Sequence, residues 1–167
     1  LAASGTIALG GMTTSPALAQ GASIIKPKRL SKGDTIMIVA PSGVVYEKLR
    51  LQLSIESLEA MGLKVKVAEN TLGRYGYFPA DDETRAAELN QAFADPDVDA
   101  IIALRGGWGA ARTLPYLDFD MIKSNPKALI GYSDITALLN SIYQLTGLIT
   151  FHGPIAGSQW GKFTTEH

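Results

Sequence analysis

The sequence predicts an α/β fold, a doubly wound and mostly parallel sheet flanked by helices, and three observations carry that prediction. Short apolar runs recur along the chain, continuous rather than alternating, as strands buried on both faces require. Between them lie segments whose apolar residues repeat with helical spacing. The runs also lead into small, Gly-rich or polar loops, and strand–helix alternation brings such loops to the carboxyl edge of the sheet, where ligands bind in this architecture.

The elements follow in order. Residues 35–40 (Thr-Ile-Met-Ile-Val-Ala) are a near-continuous apolar strand bounded by Gly33-Asp34 and by Pro41-Ser42-Gly43. A helix is expected over about 46–61, with Leu51, Ile55 and Leu58 on one face and Gly62 placed to end it. Residues 64–67 form a short second strand. Residues 69–80 hold Gly73, Gly76, Pro79 and three aromatics without a period, which predicts a long loop of the functional kind. Asp81 or Asp82 caps a helix to about Phe93, with Ala86, Leu89 and Phe93 inward. A third strand at 100–104 delivers the chain to Arg105-Gly106-Gly107-Trp108-Gly109. Short helices are expected over 110–114 and 118–123, the latter stopped at Asn125-Pro126 because the residue before proline is pushed out of the α region. Residues 128–130 make a fourth strand. After it Ile135, Leu138, Leu139 and Ile142 repeat at i, i+3, i+4, i+7 in a helix running to Thr146 and ended by Gly147. Residues 148–151 are the fifth strand, leading to His152-Gly153-Pro154, and 155–167 show no clear period.

Composition narrows the chemistry. A chain of 167 residues, 46% apolar and 19% charged, supports one globular domain with a substantial core. A formal net charge of −1 offers no footprint for nucleic acid or an anionic membrane, so the expected partner is a small or peptide-sized molecule. The absence of cysteine excludes disulfides, thiolate zinc sites and a cysteine nucleophile within the chain. Two histidines are too few for a His-based metal site, and no metal or cofactor is expected. Residues 1–19 carry no charge and end in Ala17-Leu18-Ala19, the small-x-small pattern a signal peptidase cuts. Export, with a periplasmic destination, is the expectation; cytoplasmic residence follows if this segment is not a signal. The run is too short and too interrupted to span a membrane. Residues 20–34 read as an exposed basic lead-in whose charges are solvated, and residues 35–161 as the α/β domain.

Four loops should meet at the carboxyl rim: Pro41-Ser42-Gly43, residues 105–109, residues 132–134, and His152-Gly153-Pro154. Ser133 sits on a strand-to-helix turn, where a hydroxyl can project beside free backbone N–H groups, as a serine nucleophile and its oxyanion site require. The competing reading makes Ser133 only the helix N-cap, its oxygen accepting from the N–H of Thr136 or its neighbour, with Asp134 favoured by the helix dipole. The glycines at 106, 107 and 109 allow a nucleotide turn, a backbone oxyanion donor or a simple chain reversal. The nucleotide reading is the least supported, because Arg112 occupies the third glycine position of G-x-G-x-x-G. Nor is Ser133 in a G-x-S-x-G elbow, since Ile135 holds the last position. His152, leaving the next strand, is the only internal histidine and a conceivable partner for Ser133, though a lone rim histidine is more often structural. The catalytic set looks incomplete, because a serine hydroxyl needs a positioned base.

Taken together and in this order, Ala40-Pro41-Ser42-Gly43, Arg105-Gly106-Gly107-Trp108-Gly109, Ile130-Gly131-Tyr132-Ser133-Asp134-Ile135-Thr136 and His152-Gly153-Pro154 resemble the N-terminal half of the L,D-carboxypeptidases, or muramoyl-tetrapeptide carboxypeptidases. The resemblance spans roughly residues 27–161 and implies a flavodoxin- or Rossmann-like nucleophile domain. It also implies a serine peptidase that releases terminal D-alanine from a peptidoglycan tetrapeptide; a related branch hydrolyses peptide-nucleotide antibiotics and confers immunity. By that resemblance Ser133 is the nucleophile, and the backbone N–H groups of Gly107 and Asp134 are the oxyanion donors. Gly106, Trp108 and His152 line the substrate cleft. The family's triad is Ser-His-Glu, with histidine and glutamate in a separate C-terminal domain that this sequence lacks, so the chain as given is expected to hydrolyse its substrate negligibly. A non-catalytic α/β module binding a peptide or nucleotide is the alternative from a different class, and a homodimer is an open expectation.

Overall fold

The apolar runs become strands β1 (Thr35–Val39), β2 (Lys64–Val67), β3 (Ala100–Ala103), β4 (Ala128–Gly131) and β5 (Phe151–His152) in a computed structural model that describes residues 23–158. Four helices separate them: α1 (Lys48–Ala60), α2 (Asp82–Ala94), α3 (Phe119–Ser124) and α4 (Thr136–Thr146). The strands lie in the spatial order β2-β1-β3-β4-β5 and every pairing is parallel, with Met37 opposite Ile101 and Ile101 opposite Leu129. The expected doubly wound sheet is therefore what forms. Strand order reverses between β1 and β3, which makes the carboxyl ends of these central strands the switch point where ligands bind in open α/β sheets. The signal-like residues 1–19 and His167 lie outside the described residues.

Right-handed crossovers decide which helix covers which face. The step from β1 to β2 runs one way along the sheet and all later steps run the other, which sets α1 apart from α2, α3 and α4. Met37, Val39, Ile101, Ala103 and Leu129 accordingly pack with Ala86, Leu89 and Phe93 of α2, Ile122 of α3, and Leu138, Leu139 and Ile142 of α4. Ile36, Ile38, Ala100 and Ile102 face the other way, onto Leu51 and Leu58 of α1. Truncating a buried member such as Leu138 or Phe93 to alanine should cost about 2–5 kcal/mol by cavity formation.

Local signals set the ends. Asp81 caps α2 by accepting from Thr84 N–H at 2.7 Å, and Asp118 caps α3 by accepting from Met121 N–H at 2.9 Å. Gly62 (φ 88°) and Gly147 (φ 81°) adopt the left-handed conformation that stops α1 and α4. Residues 110–116 form a 3-10 helix rather than an α-turn. Two expectations are corrected. The fifth strand is Phe151–His152, because Leu148 is drawn into a parallel bridge with Ile25 and Ile149 N–H donates to Ile25 C=O at 2.9 Å. The lead-in is thus not merely solvated: Lys28 bridges Asp34 (2.9 Å) and Asp99 (3.0 Å), which locks it to the amino edge of the sheet. Residues 26–30 also wall a groove of about 420 Å³ whose apolar floor is Ala128, Ile130, Ile149 and Phe151.

Candidate active site

Strand β4 ends at Gly131, where an added Cβ would lie 2.6 Å from Ile135 Cγ2, so only glycine lets the turn close this tightly. Tyr132 is extended, and Ser133 follows with φ 60°, the only non-glycine residue among those described in the left-handed region. For an L-residue that conformation costs about 1–2 kcal/mol. Strain of this kind concentrates at functional positions. The helix-cap reading of Ser133 is corrected here. Ser133 to Ile135 form a 3-10 turn ahead of α4, neither turn nor helix has a side-chain cap, and the left-handed φ carries the hydroxyl away from the helix N–H groups. Ser133 stands exposed at the carboxyl edge, and among the described residues its hydroxyl has no hydrogen-bond partner.

The glycine loop is fitted against it. A Cβ on buried Gly106 would sit 3.2 Å from Ser133 Cβ and 3.5 Å from its Oγ. Gly107 (φ 130°) and Gly109 (φ 94°) then turn the chain away. The N–H groups of Gly107 and Asp134 donate to no backbone carbonyl among the described residues, which leaves both available beside the serine. Three rim loops are tied together around this point. The Asp134 carboxylate accepts from Ser42 Oγ at 2.5 Å and from Ala110 N–H at 2.8 Å, and Gly43 N–H donates to Gly106 C=O at 3.2 Å. Charge-assisted bonds to a carboxylate are the strong kind, so Asp134 fixes the nucleophile turn relative to both neighbours.

Beneath the glycine loop lies a buried cation. Arg85 of α2 is 1% exposed; its guanidinium donates to the carbonyls of Pro41 and Gly109 and pairs with Asp82. Its Nε is buried without a partner. The guanidinium also stacks over the Phe78 ring, 4.3 Å from its centroid. Hydrogen bonds from Arg112, and then from Arg85, hold the Asp82 carboxyl below the usual carboxylate range. Above this layer Trp108 is 52% exposed and stacks on Tyr77 with centroids 5.7 Å apart.

Of the residues singled out in the sequence, Gly106, Gly107, Ser133 and Asp134 converge on one spot, with Trp108 at its side. His152 pairs with Gly131 in the β4–β5 register and meets the Tyr132 ring edge-on at 6.3 Å, but makes no hydrogen bond to Ser133. It shares the rim without serving the hydroxyl. Sequence reasoning missed the Asp134 side chain, Ser42 as its donor, Tyr77 and Arg85. Two of these left a signal: Tyr77 belongs to the aperiodic aromatic loop at 69–80, and Arg85 is a charged residue beside Ala86 and Leu89 on the inward stripe of α2. Among the described residues no His, Asp or Glu cluster could hold a metal, and no helix is long and apolar enough to cross a membrane.

Comparison with known proteins bears on this arrangement. Residues 36–153 match the LD-carboxypeptidase N-terminal domain. A relative from Bacillus subtilis, named a probable murein peptide carboxypeptidase, is 40% identical over 136 residues, covering 81% of this chain and 42% of the relative. The microcin C7 self-immunity protein MccF of Escherichia coli is 39% identical over 136 residues, covering 80% of this chain and 39% of that protein. The crystal structure of an MccF-like protein from Bacillus anthracis superposes with a TM-score of 0.78 at 37% identity, over 82% of this chain and 42% of that one. The chain thus spans about two fifths of the length of the relatives it matches.

Proposed function

The chain belongs to the LD-carboxypeptidase family, and from that membership we propose that it is the nucleophile domain of a serine peptidase that releases D-alanine from peptidoglycan tetrapeptides. The observation that carries the reading is Ser133 itself, held at positive φ at a strand end against Gly106, with its hydroxyl unengaged. In the proposed reaction Ser133 Oγ attacks the scissile carbonyl as a base takes its proton. The tetrahedral oxyanion is stabilised by the N–H groups of Gly107 and Asp134. Such donors, set in place before the reaction, are worth about 10²–10³ each in rate. Cleavage of the C–N bond transfers the proton to the departing amine of D-alanine and leaves an acyl-serine, which water hydrolyses. Gly106, Trp108 and His152 form the cleft walls.

The base and its orienting acid, the histidine and glutamate of a Ser-His-Glu triad, are supplied in this reading from outside residues 1–167. The 167-residue chain alone should therefore hydrolyse tetrapeptide negligibly. The full-length protein, incubated with a muropeptide tetrapeptide, should release D-alanine detectable by mass spectrometry, and Ser133→Ala should reduce the rate at least about a thousandfold. Undiminished release from Ser133→Ala would remove Ser133 from the mechanism, and Ser133-dependent release by the isolated chain would promote His152 to base. From the Ala17-Leu18-Ala19 pattern we place the working protein in the periplasm, with Gln20 as its first residue, which N-terminal sequencing of the secreted form tests.

A second reading is favoured by the near-equal identity to the microcin self-immunity protein: hydrolysis of a peptide-nucleotide conjugate by the same serine. Presenting both substrates at equal concentration and comparing kcat/KM separates the two.

A further inference from the structure

The loop before α2 is built to deliver one side chain. Arg74 gathers it by donating to the carbonyls of Val45, Tyr46, Leu72 and Gly73, and its guanidinium lies 5.0 Å from the Tyr46 ring centroid. Tyr75 and Phe78 exchange backbone hydrogen bonds of 2.8 and 3.0 Å, and Val44 N–H donates to Tyr77 C=O at 3.0 Å. Phe78 is anchored under the Arg85 and Arg112 guanidiniums. Between these fixed points Tyr77 projects over the glycine loop.

Its hydroxyl dictates the residues beneath it. A Cβ on Gly107 would lie 2.5 Å from Tyr77 Oη, and one on Gly43 would lie 3.0 Å from it. Gly106 meets Ser133, and Gly107 meets Tyr77 Oη, one peptide unit or about 3.8 Å further along the chain. Stacking on Trp108 and the edge contact with Phe78 use only the ring, which phenylalanine would supply without crowding either glycine. Yet Oη has no hydrogen-bond partner among the described residues, and Tyr77 is 37% exposed. A tyrosine placed in this way holds a donor free for a ligand.

We propose that Tyr77 is a substrate-positioning residue: its hydroxyl donates a hydrogen bond to the peptide bound beside the Gly106–Gly107 turn, while its ring and Trp108 form the shelf on which that peptide lies. The assignment rests on the peptidase reading and adds a side-chain contact to it.

The test is Tyr77→Phe in the full-length protein, assayed for D-alanine release from the muropeptide tetrapeptide with kcat and KM determined separately. Loss of one ground-state hydrogen bond should raise KM about tenfold and leave kcat within about twofold, with an unchanged melting temperature. Trp108→Leu, which removes the shelf but keeps the hydroxyl, should also raise KM. A Tyr77→Phe enzyme with unaltered KM, or one that loses kcat alone, overturns the positioning role while the peptidase reading stands. A wild-type protein that cleaves no tetrapeptide overturns that reading and takes the Tyr77 assignment with it.

Discussion

The two ends of the sheet are built from the same strands and treated in opposite ways. At the amino edge charged groups find partners. Asp99 accepts from Thr35 N–H at 2.8 Å and from Lys28, Lys66 pairs with Asp95 at 2.8 Å, and Lys127, 9% exposed, donates to the Ala92 and Asp95 carbonyls that end α2. At the carboxyl edge the chain holds a strained serine and a tyrosine whose hydroxyls have no partner among the described residues, two glycines at positive φ, Gly107 and Gly109, and two exposed aromatic rings. The amino edge closes the fold, and the carboxyl edge keeps groups unsatisfied that a ligand can satisfy. Their separation means that stability and chemistry can be damaged independently.

Substitutions at the two edges should therefore fail in different assays. After loss of Ser133 itself, the largest effect is expected from Gly107→Ala, whose methyl would collide with Tyr77 Oη in a backbone conformation that alanine resists; kcat/KM of the full-length protein should fall about a hundredfold. Asp134→Ala, which leaves Ala110 N–H without its acceptor and Ser42 Oγ with only the Trp108 carbonyl at 3.2 Å, should lower kcat about tenfold and KM little, as progress curves will show. At the other edge Asp99→Asn should cost about 1 kcal/mol in urea unfolding and leave kcat/KM intact. An Asp99→Asn enzyme that keeps its stability and loses activity would show that the two edges do not act independently.

Acid should expose the same asymmetry. Asp99 is held below the ordinary carboxylate range by the Thr35 N–H and then Lys28, and Asp95 by Lys66 and then the Asp97 N–H. Folded-state values below the unfolded value of about 3.9 mean that these groups contribute their full stability above that pH. The contribution disappears as pH falls through the lower folded-state values. The urea midpoint should thus hold from pH 7 to about 5 and drop below 4, with the Asp99→Asn protein showing a shallower drop.

Much of the fold was legible because burial writes itself into spacing. Ile135, Leu138, Leu139 and Ile142 announced α4 and its buried face, and Asp81, Gly62 and Gly147 marked helix ends by residue type. The turn at Ser133 was also legible, and its convergence with Gly106 and Gly107 followed from the parallel topology. What escaped depends on contacts between residues far apart in the chain. Nothing local says that Asp134 reaches back 92 positions to Ser42, or that Arg85 supports Pro41 and Gly109 from below. Periodicity reports that a side chain is inside, not what it holds. The fifth strand slipped for the same reason: Leu148 has strand character, and Ile25, more than a hundred residues earlier, claimed it.

The left-handed backbone at Ser133 has a consequence that needs no substrate to observe. Glycine accepts φ 60° without penalty, so Ser133→Gly should raise the unfolding free energy by up to about 1 kcal/mol, whereas Ser133→Ala, which keeps the Cβ, should leave it nearly unchanged. The substitution that destroys the proposed nucleophile would then yield the hardier protein. At this one position selection for turnover and selection for thermal resistance pull against each other, and a melting curve can register the conflict.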